Sequence, residues 1–303
     1  MALKVILAGE MGMCFGVKEA LETARAVDAP AQVTIHGELV HNEHVTSELR
    51  ARGFATAPEH ARATVPATPL VLITAHGVSA RERERLRHAG KELIDTTCPL
   101  VTYAHHAART LASEGWFVVV IGKACHVEVK GLVGDLERFA VIADASAARP
   151  FGEKRLGVVC QTTTAPDHAE RVLAAIRVQN PDSTIRVIDT ICGPTRNRQL
   201  AAEALLDRVE ALVVVGGKHS NNTLALVALA HARGLPALHV QGAGDLDPAW
   251  FEPYATVGLT AGTSTLDETI AEVHRALLEI GTAHLASGLQ LDLHRELASR
   301  QSG

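Results

Sequence analysis

The sequence has few aromatic residues and no excess of positive charge. Phe, Trp and Tyr make up 3% of its 303 residues, which leaves too few stacking platforms for a module that reads nucleic-acid bases. The formal net charge of -5 provides no basic surface for the phosphate backbone. We therefore expect no nucleic-acid partner.

Long hydrophobic runs are also absent. No apolar stretch approaches the ~20 residues that a membrane-spanning helix needs. Met1, Ala2, Leu3 and Lys4 lead into a short apolar run rather than into a secretory signal. These features predict a cytoplasmic protein with no membrane partner.

Cysteine is scarce, and its number is odd. The five residues Cys14, Cys98, Cys125, Cys160 and Cys192 are spread over a long chain. Such usage argues against a disulfide framework and favours metal binding or catalysis.

Short β-branched runs alternate with longer Ala-, Leu- and Arg-rich stretches throughout the chain. This alternation predicts an α/β fold built on largely parallel sheets. The predicted strands are 3–7, 33–36, 70–74, 92–94, 117–121, 140–143, 157–159, 185–188, 211–215 and 256–259. The predicted helices are 17–27, 81–88, 104–114, 166–179, 196–209, 223–232 and 266–280.

Internal repeats divide the chain further. The run from Ile94 to Cys98 recurs from Ile188 to Cys192, and the run from Val118 to Lys123 recurs from Val213 to Lys218. A looser echo links 160–164 with 261–265, and a fainter third copy lies near the amino end. The repeats predict three similar α/β units of about 90 residues. Their predicted bounds are 1–97, 98–191 and 192–285, followed by a C-terminal tail, 286–303, that is either a short helix or a frayed end.

One cysteine in each unit follows a strand and precedes a helix. Cys14, Cys98 and Cys192 occupy this position, at the strand edge where α/β sheets bind ligands. Around a pseudo-threefold axis the three thiols would converge, and three thiolates can hold a cubane iron–sulfur cluster that keeps one iron open. The alternative is three buried free cysteines. Cys125 and Cys160 lack the Asp-Thr-x-Cys context and are interpreted as core or near-site thiols.

Polar donors cluster after the other strands of the repeat. They are His41, His76, His126, Ser220, Asn221, Asn222 and Ser264. Imidazole, hydroxyl and amide groups can bond several phosphate oxygens, so this set predicts a phosphorylated anion as substrate.

Glu128 is the one carboxylate within this set. An enclosed glutamate near anions would have a raised pKa and could act as a general acid. The alternative is a salt bridge from Glu128 to Lys123 or Lys130.

Several ordered motifs between about residues 10 and 280 resemble the 4-hydroxy-3-methylbut-2-enyl diphosphate reductase family, also called IspH or LytB. They are Met13-Cys14-Phe15-Gly16-Val17, Val40-His41-Asn42, Ala75-His76-Gly77-Val78-Ser79, Asp95-Thr96-Thr97-Cys98-Pro99, His126-x-Glu128, Gln161-Thr162-Thr163, Asp189-Thr190-Ile191-Cys192 and Thr260-Ala261-Gly262-x-Ser264-Thr265.

The resemblance implies a cloverleaf of three α/β units around one [4Fe-4S] cluster with three Cys ligands and one open iron. It implies the last step of the methylerythritol phosphate route to isoprenoids, in which two electrons and two protons remove the substrate hydroxyl and yield isopentenyl and dimethylallyl diphosphates. Ferredoxin or flavodoxin would supply the electrons. Carried over, Cys14, Cys98 and Cys192 ligate iron, and Glu128, assisted by Thr162 and His126, relays protons. The diphosphate-binding residues are His41, His76, His126, Thr162, Ser220, Asn222 and Ser264.

The chain departs from the family pattern at a few positions. The usual Asn-Ser-Ser-Asn reads His219-Ser220-Asn221-Asn222, and Tyr103 and Lys130 also differ. Two other interpretations stay open. One is a divergent [4Fe-4S] relative that acts on another anion, as a reductase or as a hydro-lyase without redox turnover. The other is a cluster sensor without enzymatic activity.

Overall fold

The computed structural model describes residues 3–283. The C-terminal tail from residue 286 lies outside this range. Within it the strands are β1 Lys4–Leu7, β2 Val33–His36, β3 Ala55–Ala57, β4 Leu70–Ile73, β5 Glu92–Asp95, β6 Phe117–Ile121, β7 Phe139–Ile142, β8 Arg155–Cys160, β9 Thr184–Val187, β10 Ala211–Val215, β11 Ala237–Val240 and β12 Thr256–Ala261.

The helices alternate with these strands. They are α1 Phe15–Arg25, α2 Glu43–Ala51, α3 Ala80–His88, α4 Pro99–Ser113, α5 Val127–Val133, α6 Pro166–Gln179, α7 Gly193–Leu206, α8 Asn221–Ala232 and α9, which is described over 267–283. None of the helices in the described part of the chain is both long enough and apolar enough to cross a membrane.

Twelve described strands form three sheets of four, and every pairing is parallel. The strand orders are β3-β2-β4-β5, β7-β6-β8-β9 and β11-β10-β12-β1. The order is the same in each sheet. The strands β2, β6 and β10 each lie between the next two strands along the chain, and the fourth strand, which is β5, β9 or β1, pairs with the second of those two. The predicted α/β class with three similar units is thus confirmed.

Each central strand is buried on both faces. In β10 the side chains of Val213 and Val215 pack in one core with α9, and those of Leu212 and Val214 pack in another with α7 and α8. In β6, Val118 and Val120 pack against α4 and α5, whereas Val119 and Ile121 pack against α6. This alternation explains why both strands are continuous apolar runs rather than alternating ones.

The contacts divide the chain into two compact units. Unit 1 comprises 1–13 and 197–303, and within its described part it holds the sheet of β1, β10, β11 and β12. Unit 2 comprises Cys14–Arg196 and holds the other two sheets. The predicted boundaries of the three repeats remain predictions.

The place of β1 differs from the one expected for it. The sequence analysis put this strand in the first repeat, but Lys4 to Leu7 pair with Thr256 to Leu259 of β12. The pairing is favourable because β12 would otherwise be an exposed sheet edge. As a result, β1 completes the last sheet, as β5 and β9 complete the other two.

Candidate functional site

Three cysteines lie at the amino ends of helices in unit 2. Cys14 is the N-cap residue of α1, Cys98 is that of α4, and Cys192 comes immediately before α7. Each follows the edge strand that completes a sheet, namely β1, β5 and β9. The free N–H groups and the dipole of a helix start favour a negative charge there, so the location suits thiolates.

The bonds of the Asp-Thr-x-Cys motif explain why it recurs. The Thr96 hydroxyl donates to Ile73 O at 2.6 Å, and the Thr190 hydroxyl donates to Cys160 O at 2.6 Å. Both carbonyls belong to the neighbouring strand of the same sheet, β4 and β8 respectively. The motif therefore fixes each cysteine-bearing segment to the body of its sheet.

The cysteine backbones also bond to the loops that carry polar site residues. Cys98 N–H donates to Ala75 O at 3.1 Å, beside His76. Cys192 N–H donates to Thr162 O at 2.9 Å. Each of the two predicted iron ligands is thus held next to a predicted substrate or proton residue.

Two of the three thiols, Cys98 and Cys192, have a raised pKa. Burial raises the pKa of the Cys98 thiol, and the charges of Cys14 and Glu128 raise it further, although N–H groups of the first turn of α4 bond to the sulfur. Burial raises the pKa of Cys192 to about 11, and Glu128 and Cys14 contribute in the same direction. Cys14, Cys98, Cys192 and Glu128 are therefore close enough to interact electrostatically.

This donor set fits an iron–sulfur cluster. No three Cys, His, Asp or Glu side chains within 3–283 converge on a point where one metal ion could bind. A cluster needs no such convergence, because each iron takes its own thiolate. Bound metal also deprotonates thiols outright, which offsets their raised pKa. Helix α1 passes close to Cys98 at Gly16, where an added Cβ would lie 2.5 Å from Cys98 Sγ. Because Gly16 has no side chain, the space beside the sulfur stays open.

Three predicted histidines form one group in unit 2. The ring centroids of His41 and His76 are 4.3 Å apart, and the ring of His126 lies 5.1 Å from His41 and 5.6 Å from His76. Such a group concentrates N–H donors where an anion could bind several of them at once.

The hydrogen bonds of the group set its tautomers. His126 Nδ1 accepts the N–H of Glu128 at 3.2 Å, so its proton is on Nε2. His41 Nδ1 donates to Glu38 Oε2 at 2.9 Å. His76 Nε2 is buried and has no hydrogen-bond partner within the described residues, as expected of a group whose partner is a ligand.

Burial keeps two of these imidazoles neutral. It lowers the pKa of His76 well below the ordinary value, and the charges of His41 and His126 lower it further. Burial, His41 and Lys123 together lower the pKa of His126 to about 3. A bound anion would favour the protonated forms of His76 and His126.

Glu128 is almost completely buried, with 2% of its surface exposed. Its Oε1 accepts the N–H of Thr162 at 2.6 Å, and it forms no ion pair with Lys123 or Lys130, both of which are described. Burial raises the pKa of the Glu128 carboxyl above its ordinary value, while the hydrogen bonds from Thr162 lower it. The group therefore keeps its proton to a higher pH than an exposed glutamate.

A second polar group lies in unit 1. Ser220 is the N-cap residue of α8, and Asn222 Oδ1 accepts the N–H of Thr263 at 3.1 Å, beside the buried Ser264. The register explains the proximity, because Val215 and Ala261 are paired at the carboxyl ends of β10 and β12. Asn221 is the half-buried first residue of α8, and His219 is exposed.

The other two cysteines differ from the three site thiols. Cys125 is exposed, and Cys160 is buried at the end of β8, where burial raises the pKa of its thiol to about 12. Neither begins a helix.

Glu38, which orients His41, was not expected from the sequence. The backbone N–H of Glu38 in turn donates to Glu59 Oε1 at 3.2 Å, and Glu59 bonds to Arg62. The three-residue spacing from Glu38 to His41 was the available signal, but the same spacing is common on exposed turns.

The fold and the site together define an α/β protein with parallel sheets in which thiols at helix starts adjoin imidazoles and a buried carboxyl group. The chain belongs to the LytB protein family, whose defining sequence pattern matches residues 5–278. The resemblance seen in the motifs is thus confirmed, and the family is iron–sulfur dependent.

Proteins with similar sequences are named as the same reductase. A 4-hydroxy-3-methylbut-2-enyl diphosphate reductase of Methylibium petroleiphilum is 37% identical over 91% of this chain and 85% of its own. One of an Azoarcus species is 35% identical over 92% of this chain and 91% of its own.

Two solved structures are also similar. One is the E-1-hydroxy-2-methyl-but-2-enyl-4-diphosphate reductase of Plasmodium falciparum, with a TM-score of 0.82 and 26% identity, covering 90% of this chain and 87% of its own. The other is an (E)-4-hydroxy-3-methyl-but-2-enyl diphosphate reductase described as the terminal enzyme of the non-mevalonate pathway. Its TM-score is 0.62 at 31% identity, with coverage of 92% and 100%.

Proposed function

We propose that this protein is a 4-hydroxy-3-methylbut-2-enyl diphosphate reductase that removes the substrate hydroxyl as water. The observation that carries the proposal is the location of His76 Nε2, which is buried and has no partner within the described residues, in a group of imidazoles close to three thiols and a buried carboxyl group. These are the groups that such a reduction needs, namely anion donors, iron ligands and an acid.

Cys14, Cys98 and Cys192 would hold one [4Fe-4S] cluster. Three thiolates leave one iron of a cubane without a protein ligand. When bound, the cluster supplies that open iron to the substrate oxygen and delivers electrons one at a time. The electrons would come from an external donor such as ferredoxin or flavodoxin.

The imidazoles would bind the diphosphate. The Nε2–H of His126 can donate a hydrogen bond to a phosphate oxygen, and so can His76 Nε2 when it carries a proton. The carboxylate of Glu38 fixes the orientation of the His41 ring. The negative charge of a diphosphate favours protonated imidazoles, which strengthens these hydrogen bonds. Thr162, Ser220, Asn221, Asn222 and Ser264 are predicted to bind the substrate as well.

Glu128 would supply protons. The reaction takes up two electrons and two protons, breaks the C–O bond, and releases the oxygen as water, while an allylic carbon gains hydrogen. A carboxyl group that keeps its proton because it is buried can donate to the departing oxygen. The N–H of Thr162 holds the carboxyl group in place and stabilises its anion after the transfer.

The test is an anaerobic assay of the iron-loaded protein with 4-hydroxy-3-methylbut-2-enyl diphosphate, dithionite and a viologen. We expect isopentenyl and dimethylallyl diphosphates, and we expect no product from protein treated with an iron chelator. A product of water loss or water addition, formed without reductant and in place of these two diphosphates, would indicate a hydro-lyase instead. No product from fully iron-loaded protein with reductant would favour a sensor, or a relative that acts on another anion.

A further inference from the structure

Arg83 of α3 bonds to two different loops of unit 2. We call residues 74–79, between β4 and α3, the His76 loop, and residues 96–98, between β5 and α4, the Cys98 loop. The Arg83 Nη2 donates to the Thr97 hydroxyl at 2.9 Å, and its Nη1 donates to Val78 O. One guanidinium group therefore joins the loop of a predicted substrate ligand to that of a predicted iron ligand.

Asp95 fixes the orientation of this guanidinium. Its Oδ2 accepts from Arg83 Nε at 2.9 Å, and its Oδ1 accepts from the backbone N–H of Thr97 at 3.0 Å and from the Thr97 hydroxyl at 2.5 Å. The Arg83 side chain is only 19% exposed. Asp95, Arg83 and Thr97 thus form a closed set of hydrogen bonds.

The two loops are also in close contact at their backbones. Cys98 N–H donates to Ala75 O at 3.1 Å. A Cβ at Gly77, whose φ is +68°, would lie 2.8 Å from Thr97 Cγ2. A small change in the angle of one loop would therefore displace the other.

The segment that carries Cys192 contains a similar Arg–Asp pair with fewer hydrogen-bond partners. Arg196 Nη2 donates to both carboxylate oxygens of Asp189, at 2.7 and 2.6 Å, and Asp189 Oδ1 accepts the N–H of Ile191 at 3.1 Å. Within the described residues, the hydrogen bonds of the Arg196 side chain go to Asp189 alone. An Arg–Asp pair thus stabilises both segments, but only Arg83 reaches a second loop.

We propose that Arg83 is a positioning residue that fixes the His76 loop to the Cys98 loop, so that the anion-binding imidazole and the iron-binding thiol are placed together. The inference rests on the proposed function. It depends on the planar fork of the guanidinium, which offers donors in three directions, whereas a lysine at this position would keep the charge and lose most of the bridge.

The test compares Arg83→Lys and Arg83→Met with two controls. Arg196→Met removes an Arg–Asp pair beside another predicted iron ligand, and Arg87→Met removes an exposed Arg–Glu pair of the same helix α3. For each protein the affinity for inorganic pyrophosphate is measured by calorimetry. The half-life of the cluster in the presence of an iron chelator is followed by visible absorbance under anaerobic conditions.

We expect both Arg83 variants to bind pyrophosphate about tenfold more weakly and to lose the cluster faster. The reason is that the guanidinium group no longer holds the His76 loop and the Cys98 loop together through its hydrogen bonds. Arg196→Met should shorten the cluster half-life and keep pyrophosphate affinity within about twofold of the wild type. Arg87→Met should change neither property, which separates positioning from a general loss of charge.

Two results would overturn the inference. One is an Arg83→Lys protein equal to the wild type in both measurements, which would mean that charge alone matters. The other is an Arg83→Met protein that changes only one of the two properties. If the wild type itself bound neither pyrophosphate nor a cluster, the proposed function would fail, and the role of Arg83 would fall with it.

Discussion

Among the individual residues, Glu128 combines chemistry and location most directly. It is a buried carboxyl group, and the Thr162 N–H holds one of its oxygens. Buried carboxyl groups are rare unless they are paired, and Glu128 has no cationic partner in an ion pair within the described residues. The free-energy cost of burying this carboxyl group without an ion pair is consistent with a catalytic role.

Glu128→Gln should bind the substrate diphosphate with nearly unchanged affinity and reduce it at least ~10²-fold more slowly. The amide keeps the size of the side chain and can still accept the Thr162 N–H, but it has no proton to give. Single-turnover reduction and pyrophosphate binding measure the two effects separately. Near-native turnover of the variant would assign the proton to another group.

At the residue scale, the sequence predicted candidate site residues but not the residues that orient them. Cys98 and His76 have distinctive contexts in the repeat, so the sequence could place them. Glu38 and Arg83 are ordinary charged residues in the sequence, and their roles depend on partners that come near only in the folded chain. No local pattern distinguishes them from residues on a solvated surface.

At the scale of the element, the first turn of α1 leaves little space beside the Cys98 thiol. Gly16 lies in the first turn of α1, and an added Cβ would come within 2.5 Å of Cys98 Sγ and 3.2 Å of Cys98 Cβ. Carbon and sulfur atoms in ordinary contact are well beyond 3 Å apart, so the thiol would have to move.

Gly16→Ala should therefore lower the iron bound per chain to less than half, although alanine favours a helix by up to ~1 kcal/mol over glycine. The matched control is Gly193→Ala at the start of α7, where an added Cβ meets nothing within 4 Å. Iron analysis after anaerobic reconstitution compares the two. Full iron loading of Gly16→Ala would mean that Cys98 is not held as described.

Helix α4 contains a buried imidazole that the mechanism does not use. His105 is 6% exposed, and its Nε2 has no hydrogen-bond partner within 3–283. Burial, and to a lesser extent the charge of Arg83, lowers the pKa of His105 from 6.5 to about 4. The unfolded chain therefore binds a proton at a higher pH than the folded chain does.

The stability that neutral His105 provides is complete above pH 6.5 and is lost as the pH falls toward 4. Between pH 7 and pH 5 this single group should lower the free energy of unfolding by about 2 kcal/mol. In His105→Leu that part of the decline should vanish, as measured by urea unfolding of the cluster-free protein at both pH values. An unchanged pH dependence would mean that His105 is not neutral and buried in the folded chain.

Most elements could be predicted, and the exceptions have physical reasons. Runs such as 117–121 and 211–215 match β6 and β10 at both ends, because a strand buried on both faces is a continuous apolar run. Strands β3 and β11 were missed, since three or four residues of partly exposed edge strand leave little pattern. Helices α2 and α5 were missed because their N-cap residues, Asn42 and His126, were interpreted only as parts of the family motifs and not as helix starts.

At the scale of the whole molecule, the repeat predicted three units correctly but not the sheet to which β1 belongs. The partner of Lys4 is Thr256, at the opposite end of the chain. Parallel pairing over such a separation depends on which sheet edge is open, and hydrophobic periodicity carries no information about that.

The three cysteines should behave as one functional set. Replacing Cys14, Cys98 or Cys192 with serine should abolish or degrade cluster binding, since one iron would then lack its thiolate. Cys125→Ser and Cys160→Ser are matched controls that should retain it, because these thiols do not begin helices. The measurement is iron and sulfide per chain under anaerobic conditions. Full iron content in Cys192→Ser would contradict the ligand assignment.

In the function that we propose, the folded chain reduces its substrate, rather than dehydrating or merely binding it. The most direct measurement is the number of electrons consumed per product formed, with reduced viologen as donor and 4-hydroxy-3-methylbut-2-enyl diphosphate as substrate. We expect two electrons to be consumed for each isopentenyl or dimethylallyl diphosphate that is formed. A dehydrated product formed without consumption of electrons, or electrons consumed without formation of either diphosphate, would contradict this assignment.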